Sequence, residues 1–321
     1  MLLACMLPFR CIVFDPLYKF PQSICKNIVN PKMNPTSQTV PIGSKNLCIH
    51  TWNVSKDSKS VAVIFHGFLA HGLYPTVRYA ADGMAAAGHA VVAPDFEGHG
   101  QSPGLRGYLP SMDALVQDAL AVAEYASSLC ADDNDKDETK IFLVGSSMGG
   151  AIALAVAERL GAGKVAGLVL LAPMLRLSVS GPERQLLWGL SYILPTLNII
   201  PSSSTNAEQQ YRDPVKRKEC EDDEKTVKGK TIRIGSASTC VQLASSMKDE
   251  FFAKVTCPFL LLVADEDVVV NNQGSLDLME KAASSDKTMK RYPALHGLLC
   301  EPKPLVDTIE SDIIEWMEAH Q

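Results

Sequence analysis

Apolar residues fall along this chain in two recurring patterns. The first is the short continuous run: V-A-V-I-F (Val61 to Phe65), A-V-V-A-P-D (Ala90 to Asp95), I-F-L-V (Ile141 to Val144), G-L-V-L-L-A-P (Gly167 to Pro173) and F-L-L-L-V (Phe259 to Val263). Runs of this length without polar alternation read as strands buried on both faces. The second is helical spacing over Tyr74 to Ala87 (ending at Gly88), Met112 to Leu129, the stretch after Met148, Gln273 to Ala283 and Pro304 to Ala319. Ser111 stands where an N-cap belongs, with Asp113 in the first turn behind it. L-C-I-H-T-W alternates as an edge strand should, and Met289 to Tyr292 reads as one more short strand. Strands alternating with helices predict an α/β fold with a mostly parallel, doubly wound sheet covered on both faces.

The alternation stops twice. From about Met174 to Glu250 the pattern is helical and irregular, and this predicts a helical lid inserted above the strand ends. Within it, Leu186, Leu190 and Ile193 form one stripe with Leu187 and Leu194 beside it, and Trp188 and Tyr192 stand one turn apart on another side. Residues 1–44 form the other departure. M-L-L-A-C-M-L-P-F-R begins like a signal peptide, but Pro8 and Arg10 interrupt a run already too short to span a membrane. The Pro-, Asn- and Ser-rich continuation reads as a loose extension, with a transit peptide as the competing reading, and folding is expected to begin near Lys45. The run A-D-D-N-D-K-D-E-T-K reads as a solvated acidic loop, without calcium-loop spacing.

Composition narrows the classes. A chain of 321 residues, 46% hydrophobic and 21% charged, fits one large α/β domain or two small ones. A net charge of −6 speaks against nucleic acid as a partner. The nine cysteines are scattered, without metal-ligand spacing, and read as free thiols in a reducing compartment. The expectation is a cytoplasmic protein with no transmembrane segment and no metal or organic cofactor.

The chemistry sits in I-F-L-V-G-S-S-M-G-G-A-I-A-L, which is a strand, a G-x-S-x-G turn and a helix. Such a turn holds its central residue, Ser147, exposed in a strained conformation at the strand's carboxyl end. The helix behind Met148 aims its N-terminal N–H groups at developing negative charge. A serine nucleophile needs a base, and the base needs an orienting acid. His50 lies within a strand, His89 at a helix end and His320 at the terminus, while His66 and His99 belong to turns before the serine. His296 alone stands late, in a loop after a strand. Asp265, Glu266 and Asp267 all follow the strand ending at Val263. Asp267 is the choice, because the V-V-V after it would hold it partly buried. The order Ser147, Asp267, His296 is that of the α/β-hydrolases.

With these residues in place, the chain resembles the α/β-hydrolases of the monoacylglycerol lipase and lysophospholipase group (Hydrolase_4, serine aminopeptidase S33-like), and is particularly similar to the plant-type branch that includes caffeoylshikimate esterase. The matches are H-G-F, D-F-E-G-H-G-Q-S-P-G-L-R-G-Y-L-P-S, G-S-S-M-G-G-A-I-A-L, L-A-P-M, Y-R-D-P and P-F-L-L-L-V-A-D-E-D-V-V. The resemblance implies the α/β-hydrolase fold, with Ser147 as nucleophile, Asp267 as acid, His296 as base, and an oxyanion hole from the backbone N–H groups of Phe68 and Met148. In two places the chain departs from the pattern. Leu69 stands where the family has Gly, which implies a differently shaped oxyanion loop. Y-P-A-L-H is one residue shorter than the family's Y-x-G-x-x-H, with Ala294 for Gly, which implies a tighter loop around His296.

The expected reaction is two-step ester hydrolysis through an acyl-enzyme, on a lipid monoester such as a monoacylglycerol. A lysophospholipid or phenolic ester is the near alternative, followed by acyl transfer and by ligand binding without turnover. Candidate substrate contacts are His71 and Arg78 beyond the oxyanion turn, and Leu187, Trp188 and Leu190 in the lid, where peripheral membrane contact is also expected. His99 is read as a structural hydrogen-bonder and Cys240 as an inert buried thiol.

Overall fold

The computed structural model describes residues 34–130, 141–202, 204 and 206–321; the expectations for residues 1–33 and for the acidic loop fall outside them. The polypeptide opens with β1 (Thr36–Ile42) and β2 (Lys45–Trp52), followed by β3 (Val61–Phe65), α1 (Pro75–Ala86), β4 (Ala90–Pro94) and α2 (Met112–Leu129). Next come β5 (Ile141–Ser146), α3 (Met148–Leu160) and β6 (Val165–Leu171). After an excursion the sheet resumes with β9 (Phe259–Ala264), α9 (Gln273–Lys281), β10 (Lys287–Tyr292) and α10 (Leu305–Ala319). The excursion holds α4 (Gly181–Ile193), β7 (Asn198–Pro201), α5 (Ala207–Gln210), α6 (Pro214–Asp222), β8 (Thr231–Arg233), α7 (Ile234–Ser246) and α8 (Asp249–Phe252).

Eight strands form one sheet in the order β1-β2-β4-β3-β5-β6-β9-β10, and β7 and β8 form a separate pair. From β4 to β10 every neighbouring pair is parallel, whereas β2 runs antiparallel to both β1 and β4. Strand alternation divides the interior in two. Val61, Val63, Phe65, Ile141 and Leu143 enter the core on one face, and Ala62, Ile64, Phe142 and Val144 the core on the other. That is why these runs carry no polar position. Ser111 caps α2 as expected, its Oγ accepting the Ala114 N–H at 3.1 Å.

Two expectations need correction. The sheet begins at Thr36, not near Lys45: β1 pairs with β2 along its whole length through a two-residue turn with Gly43 at φ 57°. Its sequence hides it, because T-S-Q-T-V-P-I is largely exposed and contains a proline, as an edge strand tolerates. β2 is accordingly an interior strand, and its polar His50 is fully buried. The second correction concerns the excursion between β6 and β9, which does not lie wholly above the strand ends. Cys240, Leu243 and Met247 of α7 join the main core, whereas α4 has no buried residue at all.

His50 is held by hydrogen bonds at both ring nitrogens, from Ser37 Oγ (2.7 Å) and to Asp95 Oδ1 (3.0 Å). Asp95 also accepts the Gly72 and Gln101 N–H groups at 2.6 and 2.7 Å. Burial pushes the Asp95 carboxyl up, but His50 and these two N–H groups outweigh it and hold its pKa at about 2. Donor atoms of Cys48, His50 and Asp95 lie within 4.8 Å of one another, yet the histidine and carboxylate already have their partners. The cluster pins β1, β2 and the turn after β4 together.

Candidate active site

The strand order reverses between β3 and β5, since β4 lies on the far side of β3 and β6 on the far side of β5. A crevice opens at the carboxyl ends of strands at such a point. The turn His66-Gly67-Phe68 follows β3 there, and Ser147 follows β5.

Ser147 has φ 55° and ψ −119°, a conformation that side chains rarely adopt. Its surroundings over-determine it: the Ser147 N–H donates to Leu171 O at 3.0 Å, and its carbonyl accepts from Gly150 N at 3.0 Å and Met174 N at 2.8 Å. The flanking glycines are obligatory. A Cβ on Gly145 would lie 2.2 Å from Gly149 O, and one on Gly149 would lie 1.9 Å from Phe65 O. The G-x-S-x-G spacing therefore reflects close packing of strand, turn and β3 as well as turn geometry.

The β3 turn lies directly against the serine: a Cβ on Gly67 would be 3.5 Å from Ser147 Cβ. His66 secures this turn. Its Nδ1–H donates to Gly67 O (2.7 Å), and its Nε2 accepts the Phe96 N–H (3.1 Å). This tautomer satisfies the ring while neutral, and burial, with His99 close by, pushes the His66 pKa down to about 3. The His99 ring packs against His66 and Phe68 and donates to Glu97 O at 2.9 Å, the structural part expected of it. Burial lowers its pKa to about 4. Leu69 sits at φ 66°, a backbone region suited to glycine. Here Leu69 packs on Ile232 and Ala237 of the excursion and accepts the Val227 N–H at 3.1 Å. Neither Phe68 N–H nor Met148 N–H donates a hydrogen bond among the described residues, so both are available to an oxyanion.

Nδ1 of His296 lies 2.7 Å from Asp267 Oδ2, with 6% of the histidine side chain and none of the aspartate exposed. Asp267 Oδ1 accepts the N–H groups of Val269 and Val270 at 2.8 and 3.0 Å. The V-V-V segment thus holds the acid through its backbone. Asp265 is instead taken up by Arg291, and Glu266 by Arg212. Of the three consecutive acids, only Asp267 meets the histidine. With Nδ1 engaged, Nε2 is the ring atom left for a hydroxyl in the cavity that His296 and Ser147 both line.

Ser147 lines two cavities. One, of about 220 Å³, is lined by His296, Tyr74, Thr76, Gln210, Tyr211 and Lys228 among others, and is the more polar of the two. The other, of about 460 Å³, is walled by Met174, Leu186, Leu187, Leu190, Ile232, Val241, Val269 and Val270. Phe68 stands in both.

Of the expected substrate contacts, Leu187 and Leu190 line the apolar cavity and the other three do not. His71 is buried, its Nε2 bonded to Asp223 Oδ1 at 2.9 Å and its Nδ1 accepting the Leu73 N–H, so it ties the oxyanion turn to the excursion. Arg78 faces Asp82 along α1, away from either cavity. Trp188 is 54% exposed on the outer side of α4, edge-on to Tyr192 at 5.0 Å. Cys240 borders the apolar cavity, and burial raises its thiol to about 12, which keeps it protonated. The sequence reading missed Gln210 and Tyr211, although Y-R-D-P, which opens with Tyr211, marks the place.

The Hydrolase_4 family model, described as serine aminopeptidase S33, matches residues 56–303. A monoacylglycerol lipase of Mycolicibacterium smegmatis is 28% identical over 282 residues, 87% of this chain and 95% of that protein. The human monoglyceride lipase is 30% identical over 279 residues, 83% of this chain and 84% of its own. Caffeoylshikimate esterase of Arabidopsis thaliana is 28% identical over 236 residues, 72% and 69% of the two chains. A soluble variant of the Saccharomyces cerevisiae monoglyceride lipase, solved with a substrate analogue, shares the fold with a TM-score of 0.76 at 18% identity, over 89% of this chain and 96% of that one.

Proposed function

Because the chain belongs to the Hydrolase_4 (serine aminopeptidase S33) family, we propose that it hydrolyses lipid monoesters, monoacylglycerols foremost, through an acyl-enzyme on Ser147. Ser147 Oγ attacks the ester carbonyl while His296 Nε2 takes its proton, and Asp267 stabilises the imidazolium. The oxyanion is met by the N–H groups of Phe68 and Met148. His296 returns the proton to the departing alcohol. Water, deprotonated by the same histidine, then attacks the acyl-serine and releases the fatty acid. The excursion between β6 and β9 acts as the lid.

The observation that carries this reading is the pair of unlike cavities meeting at Ser147. A small polar alcohol suits the one that holds His296, and an acyl chain suits the other. Among the described residues Phe68 is the one aromatic side chain lining the larger cavity, which favours a flexible aliphatic chain over a planar phenolic acid. Outside that cavity α4 and the segment after it expose Trp188, Tyr192, Ile193, Leu194, Leu197 and Ile199, and this apolar face supports contact of the lid with a lipid surface. No helix of the described residues is long and apolar enough to cross a membrane.

The test offers the full-length protein 1-oleoylglycerol, lysophosphatidylcholine and a caffeoyl ester in parallel, with products quantified with and without added alcohol acceptor. Preferential release of oleate and glycerol is expected. Faster turnover of the caffeoyl ester would overturn the lipid assignment, and acyl transfer to the acceptor in place of hydrolysis would overturn the reaction class.

A further inference from the structure

Y-R-D-P is a matched motif to which the reaction above gives no part. Arg212 lies in the excursion, but its guanidinium reaches two loops of the sheet. It is 3.0 Å from Glu266 Oε2, 2.8 Å from Glu301 Oε2 and 3.5 Å from Pro293 O. Glu266 immediately precedes Asp267, and Pro293 and Glu301 bracket His296. The side chain of Glu301 is 1% exposed, and its Oε1 accepts the N–H of Leu295, next to His296, at 2.6 Å. A buried carboxylate needs a cation, and among the described residues Arg212 is the one paired with it.

The same stretch grips the histidine loop elsewhere. Gly297 N–H donates to Gln210 O at 2.8 Å, Asp213 N–H to Cys300 O at 2.9 Å, and Lys216 Nζ to Leu299 O at 2.7 Å. Gly297 has no room for a side chain, since its Cβ would lie 2.4 Å from the Tyr211 ring. The stretch just after His296, residues 297–300, is therefore gripped by the inserted segment.

We propose that Arg212 is a positioning residue: from the lid it holds the acid's loop and the base's loop in one register, so that the seating of segment 210–216 sets how well His296 serves Ser147. The inference rests on the roles assigned to Ser147, Asp267 and His296 above. A planar guanidinium suits the task, because one group meets two carboxylates and a carbonyl in different directions.

The experiment measures fluorophosphonate labelling of the full-length protein, recording both the final stoichiometry and the second-order rate constant. Variants are Arg212→Ala, Arg212→Lys, Glu301→Gln, the Arg212→Ala/Glu301→Gln double and Ser147→Ala. Arg212→Ala is expected to reach wild-type stoichiometry with a rate constant about 10- to 100-fold lower, the scale of a misplacement near 1 Å. Arg212→Lys, which keeps the charge and loses the fork, should fall between. In the double variant the buried charge is gone, so its rate should return to within about threefold of Glu301→Gln. Wild-type rates in Arg212→Ala and Arg212→Lys would overturn the inference, as would lowered stoichiometry at an unchanged rate constant, which marks a fold staple only. Labelling of Ser147→Ala at the wild-type rate would instead remove the assignment of the nucleophile.

Discussion

Asp267 meets His296 at 2.7 Å through one carboxylate oxygen while its other oxygen is occupied by the N–H groups of Val269 and Val270. The acid is thereby fixed before any substrate arrives, and so is the tautomer of its partner. Asp267→Asn should lower kcat by about 10⁴, the size of loss found when the acid of a chymotrypsin-type triad is amidated. Asp265→Asn, which breaks only an exposed pair with Arg291, should stay within about twofold. Steady-state kinetics on a soluble ester checks both. Comparable losses in the two variants would take the acid's role away from Asp267.

Ser147 stores backbone strain, so function and stability should separate there. Ser147→Gly relieves a positive φ of 55° and should raise stability by about 1 kcal/mol while abolishing turnover. Gly149→Ala should do the opposite and compromise folding, because its Cβ would fall 1.9 Å from Phe65 O. Urea unfolding of the two variants reads both effects. A destabilised Ser147→Gly would mean that the serine side chain is worth more to the fold than the strain costs.

His66 and His99 are buried and neutral, with pKa values pushed down to about 3 and about 4. Both folded-state values lie below the unfolded histidine's. Their contribution to stability is therefore complete above about pH 6.5 and is lost as pH falls from there toward the folded values. At pH 5 each should cost roughly 2 kcal/mol of folding free energy. The urea midpoint should fall between pH 7.5 and 5, and fall less in His99→Gln. An equal fall in both proteins would assign the acid sensitivity to other groups.

Where the sequence foreshadows the geometry, local covalent order and spatial order coincide. The strand–G-x-S-x-G–helix pattern places Ser147 because the turn is its own packing unit, and His296 emerged because few histidines follow a late strand. The choice of Asp267 among three acids rests on the V-V-V behind it; in the structure that segment holds the buried carboxylate through two backbone N–H groups. What escaped is long-range or disguised. β1 is exposed and proline-bearing, so it carries no hydrophobic signature. His71 follows the oxyanion turn but is turned to Asp223, 152 residues on. The clamp of Arg212 on Glu266 and Glu301 depends on where a chain excursion comes back to the sheet, and no residue spacing records that.

The two sides of α4 should prove separable in experiment. Leu187, Leu190 and Trp188 are all candidate substrate contacts by sequence, but periodicity puts Trp188 on another side of the helix, and the structure leaves it outside the cavity. The inner leucines line the cavity proposed to take the acyl chain, where each buried methylene contributes about 0.8 kcal/mol, close to fourfold in kcat/KM. Leu190→Gln should therefore flatten the rise of kcat/KM along p-nitrophenyl esters from two to sixteen carbons, cutting the longest by about tenfold or more while sparing acetate and butyrate. Trp188 makes no cavity contact, so Trp188→Ser should leave the profile for dispersed esters unchanged. Its loss should appear in co-sedimentation with phosphatidylcholine vesicles, and more steeply in the Trp188→Ser/Tyr192→Ser pair, whose rings pack edge to face. A chain-length profile already flat in the wild type would remove the acyl cavity and return the phenolic ester to first place. Unchanged vesicle binding in the double variant would confine α4 to its inner face.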